Sequence, residues 1–470
     1  MEKTGVWRKL RQGVEKYAPV VAQLLDDEET LAVYSRRLSD YQSAPEYGPA
    51  QKRIATFVTQ KIEQLFSQKI NLPSSLAINI VDHHAVMTHP ILTGTNIIAQ
   101  AHQLLATGPK TPAVAFSSAI VPVNNYLNKK GFHLGGKQIS LFADKEIHQA
   151  SYFMEKRKMN FCDRLQQNKR WTEFTPEQRS FLQEIESKFL DLDYSAAENY
   201  IDQVSLINHE IWQWLFAPEV RPDLPSLFQV ASEDILRTLL PAELADPQSL
   251  LGKLFVDGEY CKQVLAEFKG IVGCWGGEKG THFFWWRDEK NRPERLELAG
   301  EELVSASGTG RLAFTPTAIT TGLKERRIIP SMFVIYTFLV FSSGVKPLGG
   351  YGSSTYITKM KQAWLHLLGQ ETEVGKRLKA IDTESLVGGE IVTYQCQQGV
   401  IKEQYAFDTI FAGGLSHQYL SNLLDMPMKE LIAPALPDIY NSYVPKEARE
   451  DLGLTPQDLM GPAFSWLCTL

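Results

Sequence analysis

The sequence predicts an α/β fold: an open sheet core that carries N-terminal helices and is interrupted by a helical insertion. Three observations predict it. Residues 76–81 are a short run with Ile78, Ile80 and Val81, followed by a polar loop and an apolar helix pattern. Residues 112–118, PAVAFSS, form a second apolar run beyond that helix pattern. The three segments read as a strand–helix–strand unit with neighbouring parallel strands. Strand signals then give way to long helical patterns from about residue 145 to 270, and return after Gly270.

At 470 residues the chain has room for more than one unit. Its 44% hydrophobic and 22% charged residues are those of an ordinary globular protein. A net charge of −6 gives no general electrostatic case for nucleic acid. The five cysteines, Cys162, Cys261, Cys274, Cys396 and Cys468, are scattered and never spaced as CxxC. That pattern argues for a reducing compartment and against a disulfide framework or zinc ribbon. The polar start MEKTGVWRKLRQGVEKY lacks an apolar signal core, so a cytoplasmic location is expected.

Residues 1–70 carry helical spacing twice, at Trp7, Leu10, Val14 and Tyr17, and again at Ile54, Phe57, Val58, Ile62 and Phe66. They read as helices covering the core. Asp26, Asp27, Glu28 and Glu29 read as an acidic first helical turn. Residues 71–145 read as the first half of the core. Asp82, His83, His84 and His89 gather where the run 76–81 ends. Thr93, Gly94, Thr95 and Asn96 read as a turn opening the helix pattern of residues 97–105. Strand, polar loop and helix start put ligands at the carboxyl edge of a sheet. Asn124 and Asn125, at the end of the connection leaving 112–118, belong to the same edge. Residues 131–136 read as a turn and 137–142 as a further strand.

Residues 146–270 read as the helical insertion. Thr175 is an N-cap with Pro176 at the first helical position, and Ser195 with Glu198 reads as a capping box. Ile201, Val204, Ile207, Ile211 and Leu215 form one face. Pro218, Pro222 and Pro225 break the run, and helices follow at 232–240 and 249–269. His209 reads as a packing residue.

Residues 271–420 read as the second half of the core. Segments 281–287 and 294–299 form a hairpin. Of its Trp285 and Trp286, only one serves a given site, because neighbours on a strand face opposite ways. Lys324, Arg326 and Arg327 precede the apolar run 328–345. A membrane span needs roughly 17–25 apolar residues, but Pro330, Ser331, Ser342, Ser343 and Gly344 break this run, so it reads as buried strand and helix. Gly349, Gly350, Tyr351, Gly352, Ser353 and Ser354 then feed a helix pattern at Tyr356. A Gly-rich turn into a helix N-terminus is an anion cradle. It matches neither GxGxxG nor a Walker A sequence, so the cofactor is left unknown. Residues 421–470, rich in proline, read as a wrap around the body.

The order of hairpin, basic residues, IIP run and GGYGSSTYITKMK resembles the bacillithiol synthase family, the cysteine-adding enzymes of bacillithiol biosynthesis. Gly349, Gly350, Gly352, Tyr356 and Lys361 stand at places matching that family's Gly-rich stretch. Residues 81–104 are similar to its early strand–loop–helix. This sequence departs from the family in having Asp82-His83-His84-Ala85 in place of Thr-Gly-Gln-Gln, and Ser353 in place of a Glu. The resemblance implies a Rossmann-like core and a small-molecule ligase or transferase. Such an enzyme would form a carbon–nitrogen bond between an amine and an amino-acid or other carboxylate.

That chemistry needs a base for the amine and donors for the anion. His83, His84 and Asp82 are the candidate catalytic residues, with no metal. Thr93, Gly94, Asn96, Asn124, Asn125, Lys324, Arg326, Arg327, Gly349, Gly350, Tyr351, Ser353, Ser354 and Tyr356 are the candidate substrate-binding residues. The expected partner is a small, anionic molecule, with neither nucleic acid nor membrane; a homo-oligomer is compatible. Two other readings stand. The IVDHH stretch is similar to the third motif of the DHH phosphoesterases, which bind manganese through such residues, although no upstream Asp-x-Asp ends a strand here. The same crevice would also serve a non-catalytic protein that binds a small molecule or a partner.

Overall fold

The computed structural model describes residues 2–125, 130–389 and 391–469. Its centre is a sheet of five parallel strands: β1 (Ala77–Asn79), β2 (Ala113–Ser117), β3 (Leu227–Ala231), β4 (Lys346–Gly350) and β5 (Leu386–Gly388). Across the sheet they stand in the order 5-4-1-2-3. Asn79 pairs with Ala115, and Ala77 with Lys346. The expected parallel pairing of β1 with β2 is therefore present.

Every residue of β2, β3 and β4 is buried. Strands covered on both faces lack apolar–polar alternation, and β2, AVAFS, reads that way. One face packs against helices Glu2–Tyr17, Leu31–Ser39, Pro90–Gln100 and Tyr200–Trp214. The other packs against Gly48–Phe66, Ser232–Ala245, Gly258–Glu267 and Tyr351–Leu368. The chain starts at the middle of the sheet, moves out through β2 and β3, and returns to the other side of β1 for β4 and β5. The helix after β1 lies on one face and the helix after β4 on the other. The connections leaving these two neighbouring strands diverge, and divergence of that kind opens a crevice at the carboxyl edge.

Several expectations are corrected. Strand β3 lies inside residues 146–270, so that block is not purely a helical insertion. A five-residue apolar run has no periodicity to separate strand from helix, and only the preceding Pro225 marks it. Helix Tyr200–Trp214 is capped by Asn199, whose side chain accepts from the Asp202 N–H at 3.1 Å. Ser195 instead donates its N–H to Asp193. The Thr175 cap forms as expected, reciprocated by Gln178. Thr93, Gly94 and Asn96 are not in a turn. Their helix already starts at Pro90, with His89 as its cap, because Pro at the first position costs no hydrogen bond. Residues 131–134 are themselves a strand, Gly131–Leu134, paired with Lys137–Ser140 in a separate ribbon.

The hairpin after Gly270 belongs to a second, antiparallel sheet. Its strands stand in the order Ile328–Pro330, Phe284–Arg287, Pro293–Ala299, Glu302–Ser305, Arg311–Ala313. Trp285 and Trp286 pack, partly buried, against two different core clusters, and neither lines the crevice at the carboxyl edge. Ile328 starts a strand, a helix Met332–Tyr336 and a π-helical turn Thr337–Ser342. Among the described residues no helix is long and apolar enough to cross a membrane. Cys396 and Cys468 form a disulfide, a pairing that the reading against a disulfide framework did not foresee.

Candidate functional site

The carboxyl ends of the central strands open into a cleft of about 1210 Å³. The sheet edge supplies one wall. Asp82 and His83 follow β1, Ser118 and Ile120 follow β2, and Gly350, Tyr351, Gly352 and Ser353 lead from β4 into its helix. The C-terminal segments supply the other wall, through Tyr394, Lys402, Asp438, Tyr443 and Gln457. Tyr336 and Tyr356 also face the cleft, with their hydroxyls 3.3 Å apart. Burial raises both phenols, Tyr336 to about 12, so they stand as neutral donors at pH 7.

The loop after β1 is fixed by its backbone. The Ser118 N–H donates to the Asp82 carbonyl at 2.9 Å, and the His84 N–H donates to the Ser118 carbonyl at 2.9 Å. Asp82 is buried, and its carboxylate accepts from Asn96 Nδ2 at 2.8 Å, Thr95 Oγ1 at 3.1 Å and Gln229 Nε2. Burial pushes its pKa up to about 6, and these hydrogen bonds hold it from going higher. His83 is lowered to about 4 by burial, against the opposing pull of a hydrogen bond to Asn125. Its ring is therefore neutral at pH 7, and among the described residues the buried Nδ1 has no hydrogen-bond partner.

His84 does not join them. It is buried behind the loop, with Nδ1 2.6 Å from Ser117 Oγ and Nε2 2.7 Å from the Ile201 carbonyl. Asp82 and His83 line the cleft while His84 is held away from it, so the three do not converge. Among the described residues no group of three His, Cys, Asp or Glu is placed to hold a metal ion.

The other sequence candidates divide. Asn125, Gly350, Tyr351, Ser353 and Tyr356 line the cleft. Gly350 donates its N–H to Ser353 Oγ at 2.7 Å, which caps the helix Tyr351–Leu368. Gly349 and Ser354 lie just behind, bonded to the Ser385 carbonyl. Thr93 bonds back to the Pro90 carbonyl within its helix, Gly94 is buried there, and Asn96 serves Asp82. Asn124 is exposed and outside the lining.

The three basic residues are not in the cleft, which corrects the expectation that they compensate an anion there. Lys324 is exposed at a helix end. Arg326 pairs with Asp234 at 3.3 Å and lies over the Tyr152 ring, and Arg327 pairs with Glu325 at 2.6 Å.

Sequence reasoning missed Glu233. It is fully buried beside the end of β3. Its Oε1 accepts from the Ala119 N–H at 2.9 Å, the Ile120 N–H at 3.0 Å and the Ser118 hydroxyl at 3.4 Å. Among the described residues Oε2 has no partner, and burial pushes the group up to about 7. The signal was the strand β3 itself, because Ser232, Glu233 and Asp234 then stand at a strand's carboxyl end. Comparison with protein-family models and with curated proteins found no match for this chain.

Proposed function

We propose that this chain is a small-molecule enzyme with a Rossmann-like core, and that the cleft is its active site. The order 5-4-1-2-3 of parallel strands, with diverging connections after β1 and β4, supports the Rossmann-like reading. The observation that carries the function is the meeting of two features in one cleft. A neutral His83 imidazole, whose Nδ1 is buried and has no partner among the described residues, stands on the same edge as the N-terminus of the helix Tyr351–Leu368. A neutral imidazole accepts a proton from an attacking amine, and a helix N-terminus favours a carboxylate. Carbon–nitrogen bond formation of the bacillithiol-synthase-like class suits that pair. Tyr336 and Tyr356 are neutral donors for charge that develops on oxygen.

The test is incubation of the purified chain with panels of primary amines and carboxylic acids, with condensation products detected by mass spectrometry. His83→Ala should abolish product formation while the melting temperature stays within a degree or two, roughly what a small surface substitution changes. Turnover that survives His83→Ala removes the assigned base.

A further inference from the structure

We propose that the Cys396–Cys468 disulfide is a redox latch on the cleft. It joins two pieces of the C-terminal wall that belong to neither large sheet, so its thiol–disulfide state sets how open the cleft is. The first piece is the hairpin Tyr394–Gln397 with Val400–Glu403, whose Tyr394, Lys402 and Glu403 face the cleft. It is a two-stranded ribbon outside both larger sheets, and such a ribbon is marginal on its own. The second piece is the segment around the four-residue helix Pro456–Leu459 and the turn Pro462–Cys468. Pro456, Gln457 and Met460 face the cleft from it.

Besides the bridge, the pieces meet through the core around Tyr394, Phe464 and Leu467 and through Tyr419, which bonds Tyr394 and meets the Trp466 ring edge-on. Gln457 donates to the Ile401 carbonyl at 3.2 Å, and Tyr394 meets the Phe464 ring edge-on at 5.8 Å. The disulfide closes a separation of 72 residues between them. Cys396 lies two positions from the lining residue Tyr394, so the cross-link acts directly on the wall.

The thiol chemistry separates this pair from the rest. Cys468 is exposed and open to a dithiol. Cys162, Cys261 and Cys274 are buried, and burial raises each thiol, Cys261 to about 11 and the other two to about 12. They stay protonated and inert at neutral pH. In the exchange, one thiolate of an external dithiol attacks the Cys468 sulfur, and Cys396 leaves as a thiolate and takes a proton. The second thiol of the reductant then displaces Cys468. The protein disulfide gains two electrons, and the dithiol becomes a disulfide.

The functional meaning of the latch rests on the cleft being the working site, but the latch itself is tested without any substrate. Full-length oxidised chain, dithiothreitol-reduced chain and the Cys396→Ser variant are compared by hydrogen exchange and by the rate at which diethyl pyrocarbonate modifies His83. Thiol titration of the unfolded oxidised chain should count three thiols. On reduction, and equally in Cys396→Ser, exchange in residues 394–403 and 456–468 should quicken about tenfold, a local opening, with β2 unchanged. Modification of His83 should quicken with it. Five thiols in the untreated chain, unchanged exchange in both segments, unchanged His83 modification, or faster exchange spread evenly into β2 would each overturn the latch. None of these outcomes bears on whether the amine and carboxylate panel turns over, so failure of the latch and failure of the enzyme reading are told apart.

Discussion

At the scale of single residues, the cleft edge is defined by buried groups whose charge depends on pH in opposite senses. Asp82 and Glu233 are raised to about 6 and about 7 in the folded chain. A raised pKa contributes stability that is complete below the unfolded value and is lost as pH rises through the folded value. His83, lowered to about 4, does the reverse: its contribution is complete above its unfolded value and is lost as pH falls towards 4. The two trends oppose each other between about pH 4 and 6.5, where the unfolded histidine titrates. The histidine contribution levels off only about one pH unit higher, and His84, His102 and His282, also lowered by burial, add to it, so the carboxyl share has to be isolated in a variant. Between pH 6.5 and 8 Glu233 should therefore take about 1 kcal/mol from the stability, read as the difference in the pH dependence of urea unfolding between the wild type and Glu233→Gln. Glu233→Gln should remove that share, since the amide oxygen still accepts from Ala119 and Ile120. A slope unchanged in the variant would place Glu233 outside the titration. None of this was legible from sequence. Asp82, His83 and His84 stood out as polar residues at a strand end, but which of them faces the cleft depends on the Ser118 bridge, which joins segments far apart in the chain.

At the scale of elements, apolar strands and capped helices were readable where the signal is local. Pro112–Ser118 in the sequence became β2, and Thr175-Pro176 became a helix start, because burial on both faces and an N-cap each leave a pattern within a few residues. Strand β3 left no such pattern, and the Thr93–Asn96 stretch misled because Gly and Asn are turn residues in isolation. Its helix holds those residues through tertiary contacts instead: Thr95 and Asn96 bond Asp82. That helix also approaches β5 closely. A Cβ on Gly388 would stand 2.3 Å from Thr95 Cγ2. Gly388→Ala should therefore destabilise the fold by roughly 1–3 kcal/mol, the usual cost of overpacking. Thr95→Ser keeps the hydroxyl on Asp82 and removes the obstructing methyl, so the double variant should recover most of the loss in a thermodynamic cycle. Strictly additive single losses would mean that the two residues do not share the contact.

At the scale of the whole molecule, the strand order decides where the site lies. Neighbouring parallel strands were expected from the sequence, and the loops after residues 76–81 and at 349–354 meet on one edge. The C-terminal wall was not expected, since Lys402, Asp438, Tyr443 and Gln457 sit in segments read only as a proline-rich wrap or a surface hairpin. The central claim is that this cleft takes a small carboxylate at the helix N-terminus beside His83. A titration of the ¹³C-labelled His83 ring with succinate, followed by NMR, tests it most directly. The account predicts a saturable shift that is lost in Gly352→Val, because a Cβ there meets only Tyr443 Oη at 3.7 Å and a larger side chain fills the cradle without straining the fold. A His83 resonance that does not move with succinate, or that moves equally in Gly352→Val, would contradict it.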